Sequence, residues 1–280
     1  MRDNTISSMT TYFTSIPSAA GLNRLPTNPC KLLDFNLLVL NAGESYQAET
    51  GDREALAVIL GGKGSFTVNG QEFKNVGGRP NVFSGKPHSV YIPCGAQYTI
   101  SANGRLEVGL CSAPSDLKIA PYVIGPEKIT SGVWGAANFS RNFQQILTVA
   151  GQPDLPARRL VVGETYVPSG NWATYPPHKH EVDDLPREAF QEEMYFFRVN
   201  PPDGFGMVRY YNQEVDHGYI IKDNTVMMAP NGYHTNNAAP GYTCYFLWFM
   251  AGEQRAQAAA DDPALSWVGR TVPMLKALGH

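Results

Sequence analysis

A chain of 280 residues with 22 Lys and Arg against 25 Asp and Glu carries a net charge of −3 and a pI near 6.1, so no broad basic field exists to hold a nucleic acid. Hydrophobic residues make up 43% and charged residues 17%, with 27 glycines and 21 prolines, which excludes a coiled coil or a disordered chain and favours short strands joined by many turns.

The amino-terminal stretch "MRDNTISSMTTYFTS" lacks the continuous apolar core of a signal peptide. The most apolar run, "CYFLWFMAG" at 244–252, is far too short to span a bilayer, so a soluble, cytoplasmic protein with no membrane partner is expected. Cys30, Cys94, Cys111 and Cys244 are scattered without a CxxC pair and read as free structural thiols.

Along the first part of the chain, "FNLLVLNAG", "ALAVILGGKGSFTVNG", "SVYIP" and "QYTISANGRLEVGLCSA" alternate or run apolar between Gly, Pro and Asn, which is the texture of an all-β unit. "TVNGQEF" and "SANGRLEV" each set Asn-Gly between strand-like flanks and predict two-residue hairpins, because both central residues of a type I′ turn need positive φ. Periodicity breaks in the Pro-, Gly- and Ser-rich "APSDLKIAPYVIGPEKITSGVWGAAN". The expected division is a first domain over 1–120, a linker over 121–142 and a second domain over 143–280.

Strand texture then resumes in "FQQILTVAG", "RRLVVGETYVPSGNWATYPPH", "EEMYFFRV", "GFGMVRYYN", "TVMMAPNGYH" and "GYTCYFLWFMAG". Only the Ala-rich "GEQRAQAAADDP" at 252–263, ended by Pro263, predicts a helix, short and near the carboxyl terminus. "SVYIPCGAQYTI" and "TVMMAPNGYHTN" repeat one plan: an apolar strand, Pro-x-Gly, then a ring-bearing residue, Tyr98 in one and His234 in the other. Two stacked β-barrels or sandwiches are the natural architecture.

In an extended chain residues i and i+2 share a face, so His178 and His180 present two imidazoles together while Lys179 projects the other way. "QEEMYFFRV" offers two consecutive carboxylates whose side chains must face oppositely. Glu193 shares parity with Tyr195, Phe197 and Val199, an apolar lining set, whereas Glu192 shares it with Arg198; Glu193 is therefore the predicted third ligand, with Glu192 in reserve. His234, just after the turn at "APNG", closes a three-His, one-carboxylate shell with positions left open, a donor set that suits Zn²⁺, Mn²⁺, Fe²⁺ or Ni²⁺. The first half offers no HxH, and Tyr98 stands where a histidine would follow Pro-x-Gly, so no equivalent shell is expected there. His88 reads as a satisfied loop histidine.

HxH with a Glu, followed by His after Pro-x-Gly, resembles the two cupin motifs, with the second motif one residue short and an unusually long gap between His180 and Glu193. "GNWATYPPHKHEVDD", "EEMYFFRVNPPDGFGMVRYY" and "PNGYHTNNAAPGYTCYFLWFMAGE" resemble the 5-deoxy-glucuronate isomerase family of inositol catabolism, and "CSAPS" and "NFSRNFQQIL" extend the likeness to most of the chain. Thr235 and Asn236 after His234, and "FLWFMAG" in place of the family's "YLNVMAG", are local departures.

The resemblance implies a bicupin, with a metal-free first cupin and a Zn- or Mn-type divalent ion on His178, His180, Glu193 and His234 of the second. It further implies a sugar-acid substrate, 5-deoxy-glucuronate, isomerised from aldose to ketose without an external redox cofactor. For that reaction Glu192 and Tyr195 are the candidate acid–base residues, with Asp183, Asp184, Tyr175 and a metal-bound water as other bases. Arg209 is the candidate grip on the substrate carboxylate, with Lys179 and Tyr175 as further contacts. The polar insertion "EVDDLPREAFQE" reads as a lid or a solvated loop, and a homo-oligomer is expected. The isomerases of 5-dehydro-4-deoxy-glucuronate, cupin dioxygenases and a non-catalytic sugar-sensing cupin are the competing readings.

Overall fold

The computed structural model describes residues 12–280; residues 1–11, which belong to the stretch read for a signal peptide, lie outside them. Among the described residues, twenty-two strands build four antiparallel sheets, two to each half of the chain. In the first half a six-stranded sheet, centred on Arg53–Gly61 and Leu106–Pro114, faces a four-stranded one. In the second, a seven-stranded sheet centred on Glu192–Asn200 and Thr243–Ala251 faces a five-stranded sheet that carries Trp172–Lys179 and Tyr233–Ala238. Each half is thus a pair of facing sheets, a jelly-roll sandwich and not a closed barrel, and the all-β class holds.

Period-two alternation on the central strands explains why three cores form. One face of Arg53–Gly61 sends Ala55, Ala57 and Ile59 into the first sandwich with Phe66 and Ile100. Its other face sends Leu56, Val58 and Leu60 outward, where they meet Met194, Phe196, Leu247 and Phe249 from the seven-stranded sheet. Because both central sheets are apolar on both faces, the two sandwiches stack back to back across a shared core. The third core fills the second sandwich with Tyr195, Phe197, Val208, Tyr210 and Phe246.

A buried ion pair crosses the shared core: Arg79 of the first half donates to both carboxylate oxygens of Glu164 at 3.0 and 2.5 Å, and Tyr245 donates to the same carboxylate at 2.8 Å. Residues between the sandwiches are built into both of them. Tyr122–Ile124 pairs with Ser89–Ile92 on the six-stranded sheet, and Thr130–Trp134 pairs with Arg141–Leu147 on the seven-stranded one. At the other edge of the seven-stranded sheet, Phe13–Ser15 from the start of the chain lies antiparallel to Thr225–Ala229.

Two local expectations need correction. Asn69 and Gly70 form the hairpin between Lys63–Val68 and Gln71–Gly77, with φ of 49° and 83° as a type I′ turn requires. Asn103-Gly104 does not form a hairpin: Gln97–Ala102 belongs to the four-stranded sheet and Leu106–Pro114 to the six-stranded one, so the dipeptide carries the chain across the sandwich. The Ala-rich segment at 252–263 is not helical, since Ala189 N–H donates to Ala258 O at 3.0 Å and Ala260–Asp261 adds a short strand beside His178 and Lys179. Tertiary hydrogen bonds override its helix propensity. The short helix lies further on, at Val272–Ala277, after a 3₁₀ turn over Ser266–Thr271. All four cysteines are free, and among the described residues no helix is long and apolar enough to cross a membrane.

Candidate metal centre

Trp172–Lys179 and Tyr233–Ala238 pair so that His178 and His234 stand directly opposite each other, with a register shift between Ala173 and His178 that aims the end of the strand into the sandwich. Thr174, at the start of that irregularity, is buried with φ of 53°, a left-handed backbone that a β-branched residue rarely adopts, as is common where a site dictates local geometry. His180 lies just past the strand and Glu193 is the second residue of Glu192–Asn200 in the facing sheet. One donor atom from each of His178, His180, Glu193 and His234 falls within 4.8 Å of all the others.

The hydrogen bonds set the donors. His180 Nδ1 donates to the Gln191 carbonyl at 2.6 Å, which leaves Nε2 facing Glu193 Oε2 at 2.9 Å. His234 Nε2 lies 2.9 Å from the same oxygen and 3.0 Å from the Tyr195 hydroxyl, while its Nδ1 is buried without a partner. Two imidazole nitrogens share one carboxylate oxygen and a third stands within 4.8 Å, a donor set that fits a divalent ion, because a cation satisfies at once groups that otherwise compete for one acceptor.

Electrostatics follow the same geometry. Burial and the neighbouring His234 and His180 hold the His178 imidazole well below its usual range, so it stays neutral and able to ligate. Burial opposes charge on Glu193, yet its hydrogen bonds to His180 and His234 win and keep it ionised far below the usual carboxylate range. For His180, burial is likewise outweighed by Glu193, and its pKa is raised. Burial first, and the Glu193 charge second, push the Tyr195 phenol well above its ordinary value, so at neutral pH it is a proton donor and not a base.

His178, His180 and Glu193 of the cluster form one wall of a cavity of about 360 Å³, with His234 buried behind them. Phe246, Trp248 and Met250 line it from one strand, Trp134 and Tyr175 add aromatic surface, and Gln191, Thr165 and Thr174 add polar groups. Gly163 makes room for this wall, since a Cβ there would lie 2.2 Å from the Trp248 ring. Ala256, Ala258 and Val272 from the carboxyl-terminal segment close part of the rim.

Tyr195 and Tyr175 line the cavity with His178, His180 and Glu193, His234 stands behind them against Tyr195 and Glu193, and five residues expected at the site lie outside it. Glu192 faces the opposite side of its strand, as parity requires, and its carboxylate accepts the backbone N–H groups of Lys31, Leu32 and Leu33 at 2.8, 2.6 and 3.1 Å; it is a structural anchor and not an acid–base group. Arg209 alternates outward between buried Val208 and Tyr210, pairs with Asp216 at 2.7 Å and lies over the Tyr211 ring. Lys179 projects away from the histidines and is held by Glu181. Asp183 accepts the Phe190 N–H and Asp184 pairs with Arg187, so neither is a base in this cavity. The residue missed by sequence reasoning is Arg141, whose guanidinium lines the cavity over the Trp134 ring at 5.7 Å. It lies in the segment taken as linker, where no periodicity drew attention to it.

The first sandwich shows what the site is missing there. Ala55 pairs with Ile92 before Pro93, as Glu193 pairs with Ala229 before Pro230, so Ala55 stands in the place of Glu193. Tyr98 takes the second position of Gln97–Ala102, as His234 does in Tyr233–Ala238.

Paired jelly-roll sandwiches with a His₃Glu cluster inside one of them define a two-domain cupin. The chain belongs to the KduI/IolB family, whose model matches residues 23–268. It is similar to proteins named 5-deoxy-glucuronate isomerase from Geobacillus kaustophilus (strain HTA426), 36% identical over 237 residues and 84% of each chain, and from Bacillus subtilis (strain 168), 36% identical over 239 residues, 84% of this chain and 87% of that one. Among solved structures it is similar to an IolB-like protein from Salmonella typhimurium LT2, with a TM-score of 0.85 and 27% identity over 92% of this chain and 98% of that one. The oxalate decarboxylase of Lactobacillus farciminis shares the fold at a TM-score of 0.65 and 12% identity, covering 98% of this chain and 94% of that one.

Proposed function

We propose that the protein is a metal-dependent aldose–ketose isomerase that converts 5-deoxy-glucuronate to 2-deoxy-5-keto-gluconate in the cytoplasmic catabolism of inositol. The observation that carries this reading is the convergence of His178, His180, Glu193 and His234 on one point of a partly closed cavity, in a chain 36% identical to proteins named for that activity.

A divalent ion on those four side chains, Zn²⁺ or Mn²⁺ before Fe²⁺ or Ni²⁺, would draw electron density from the substrate carbonyl and acidify the adjacent C–H. In the overall change the aldehyde carbon gains a hydrogen and its neighbour loses one, so the substrate's electrons are only redistributed and no redox partner is needed. Tyr195, buried and kept protonated, is placed to give a proton to oxygen as the carbonyl character moves along the chain. Trp134, Trp248, Phe246 and Met250 shield that step from bulk water.

The test is to add 5-deoxy-glucuronate to the metal-loaded protein and follow loss of the aldehyde proton by NMR, beside chelated protein and His178→Ala. Turnover confined to the loaded wild type supports the reading. Oxygen consumption without ketose formation would instead favour a dioxygenase, and faster turnover of 5-dehydro-4-deoxy-glucuronate would assign the pectin-type substrate. The protein is also proposed to work as a homo-oligomer, which sedimentation of the same sample addresses.

A further inference from the structure

With Arg209 and Lys179 both turned away, the cavity holds Arg141 as its one guanidinium among the lining residues. Arg141 is the first residue of Arg141–Leu147, paired with Trp134 at the end of the neighbouring strand, and its guanidinium carbon lies over the Trp134 ring at 5.7 Å from the centroid. Its Nη1 makes a single long hydrogen bond, 3.4 Å to the Phe139 carbonyl, and it forms no ion pair. Gly135, with φ of 78°, leaves open the space beside it, since a Cβ there would sit 2.9 Å from Nη1.

A guanidinium keeps its charge even where burial disfavours it, so a half-buried arginine that feels the charge of Asp261 without being bonded to it keeps donors free for an anion from outside. The only carboxylate that lines the cavity, Glu193, is already committed to His180 and His234. Arg141 is also near enough for its charge to be felt at both His178 and Tyr195, so one small molecule can meet the histidine cluster at one end and the guanidinium at the other.

We infer that Arg141, over the Trp134 ring and beside Gly135, is the specificity-determining residue that grips the carboxylate of an open-chain sugar acid while its carbonyl end lies at the His₃Glu cluster. This rests on the isomerase reading for the identity of the substrate, but the preference for an acid over a neutral sugar rests on Arg141 alone. A fork of parallel N–H donors matches a carboxylate with two charge-assisted hydrogen bonds, and a primary alcohol in the same place offers one neutral acceptor and leaves a donor unpaired.

The experiment compares wild type, Arg141→Gln and Arg141→Lys with 5-deoxy-glucuronate and with 5-deoxy-glucose, its neutral counterpart, by steady-state kinetics and by calorimetric titration, with metal content measured for each protein. Wild type should favour the acid by about 100-fold or more in kcat/KM. Arg141→Gln should lose most of that preference, mainly through KM, with the neutral sugar handled as before and the metal retained; Arg141→Lys should fall between. Equal losses on both sugars, or an acid preference that survives Arg141→Gln, would overturn the inference. If Arg141→Gln does not fold, an unchanged acid preference in Arg141→Lys overturns it in the same way and a reduced one supports it. Should wild type fail to turn over 5-deoxy-glucuronate, the isomerase reading fails, and the titrations still decide the role of Arg141: acid bound no tighter than neutral sugar sinks it, and an acid preference lost in Arg141→Gln upholds it.

Discussion

Glu54 and Glu192 occupy matching places at the starts of the two central strands, and each reaches across to the other sandwich. Glu192 accepts the N–H groups of Lys31, Leu32 and Leu33, which lead into Asp34–Leu40; Glu54 accepts those of Arg158, Arg159 and Leu160, which lead into Leu160–Val167, together with the Tyr91 hydroxyl. Both carboxylates are almost wholly buried, at 0% and 3% exposure, so these bonds, with the charges of Arg255 near Glu54 and Arg53 near Glu192, compensate for leaving water. Glu54→Gln or Glu192→Gln replaces one acceptor oxygen by a donor aimed at N–H groups, and each is expected to destabilise the protein by about 2–3 kcal/mol in urea unfolding. Because Glu192 is an anchor, the folded fraction of Glu192→Gln should keep a wild-type kcat.

His234→Ala or His178→Ala removes one of four donors. Each variant is expected to bind divalent metal at least about tenfold more weakly, measured by equilibrium dialysis with elemental analysis. Chelation should lower the melting temperature of wild type and leave that of His234→Ala nearly unchanged, since an ion bound only by the folded state stabilises it.

Tyr195→Phe deletes the hydroxyl 3.0 Å from His234 while leaving the ring packed against Phe246 at 4.4 Å between centroids. The expected result is a fall in kcat of about 100-fold, with KM and metal content close to wild type. An unchanged kcat would take Tyr195 out of proton transfer.

Glu164→Gln leaves the Arg79 guanidinium buried with no opposite charge beside it, only one remaining acceptor oxygen. A loss of about 3–5 kcal/mol is expected in chemical unfolding, because removing one member of a buried pair strands the other. The same substitution should leave kcat of the folded protein intact, as Glu164 faces the shared core and not the cavity.

Arg209→Ala breaks an exposed ion pair with Asp216 and nothing in the cavity. Stability is expected to change by less than about 1 kcal/mol, and kcat/KM on 5-deoxy-glucuronate by less than about twofold.

What could be read from the sequence was what has short-range, periodic causes. Strand parity alone separated Glu193 from Glu192 and turned Lys179 away from His178, and the Pro-x-Gly repeat put Tyr98 and His234 at matching positions in the two sandwiches. The same logic, applied to "GMVRYY", places Arg209 with outward Met207, opposite Val208 and Tyr210, and so away from the interior of the sandwich. Asn103-Gly104 misled because its flanks look like one hairpin, and only pairing with distant strands shows that they lie in different sheets. The helix expected at 252–263 failed for a related reason: the main chain there bonds to Ala189 and to the Gln191 side chain, partners no local pattern reveals. Arg141 was out of reach because its meaning depends on Trp134 and Gly135 being folded back beside it across a turn.

The strand Phe13–Ser15 imposes an order on how the molecule is made. It is synthesised more than 200 residues before its pairing partner, Thr225–Ala229. The first sandwich can mature while the chain is still growing, but this edge of the second is covered only when Phe13–Ser15 pairs with it. A gene fragment for the second sandwich alone would therefore yield an exposed strand edge beside its own apolar neighbours, and cutting the chain at its middle is a poor way to obtain the half that carries the His₃Glu cluster.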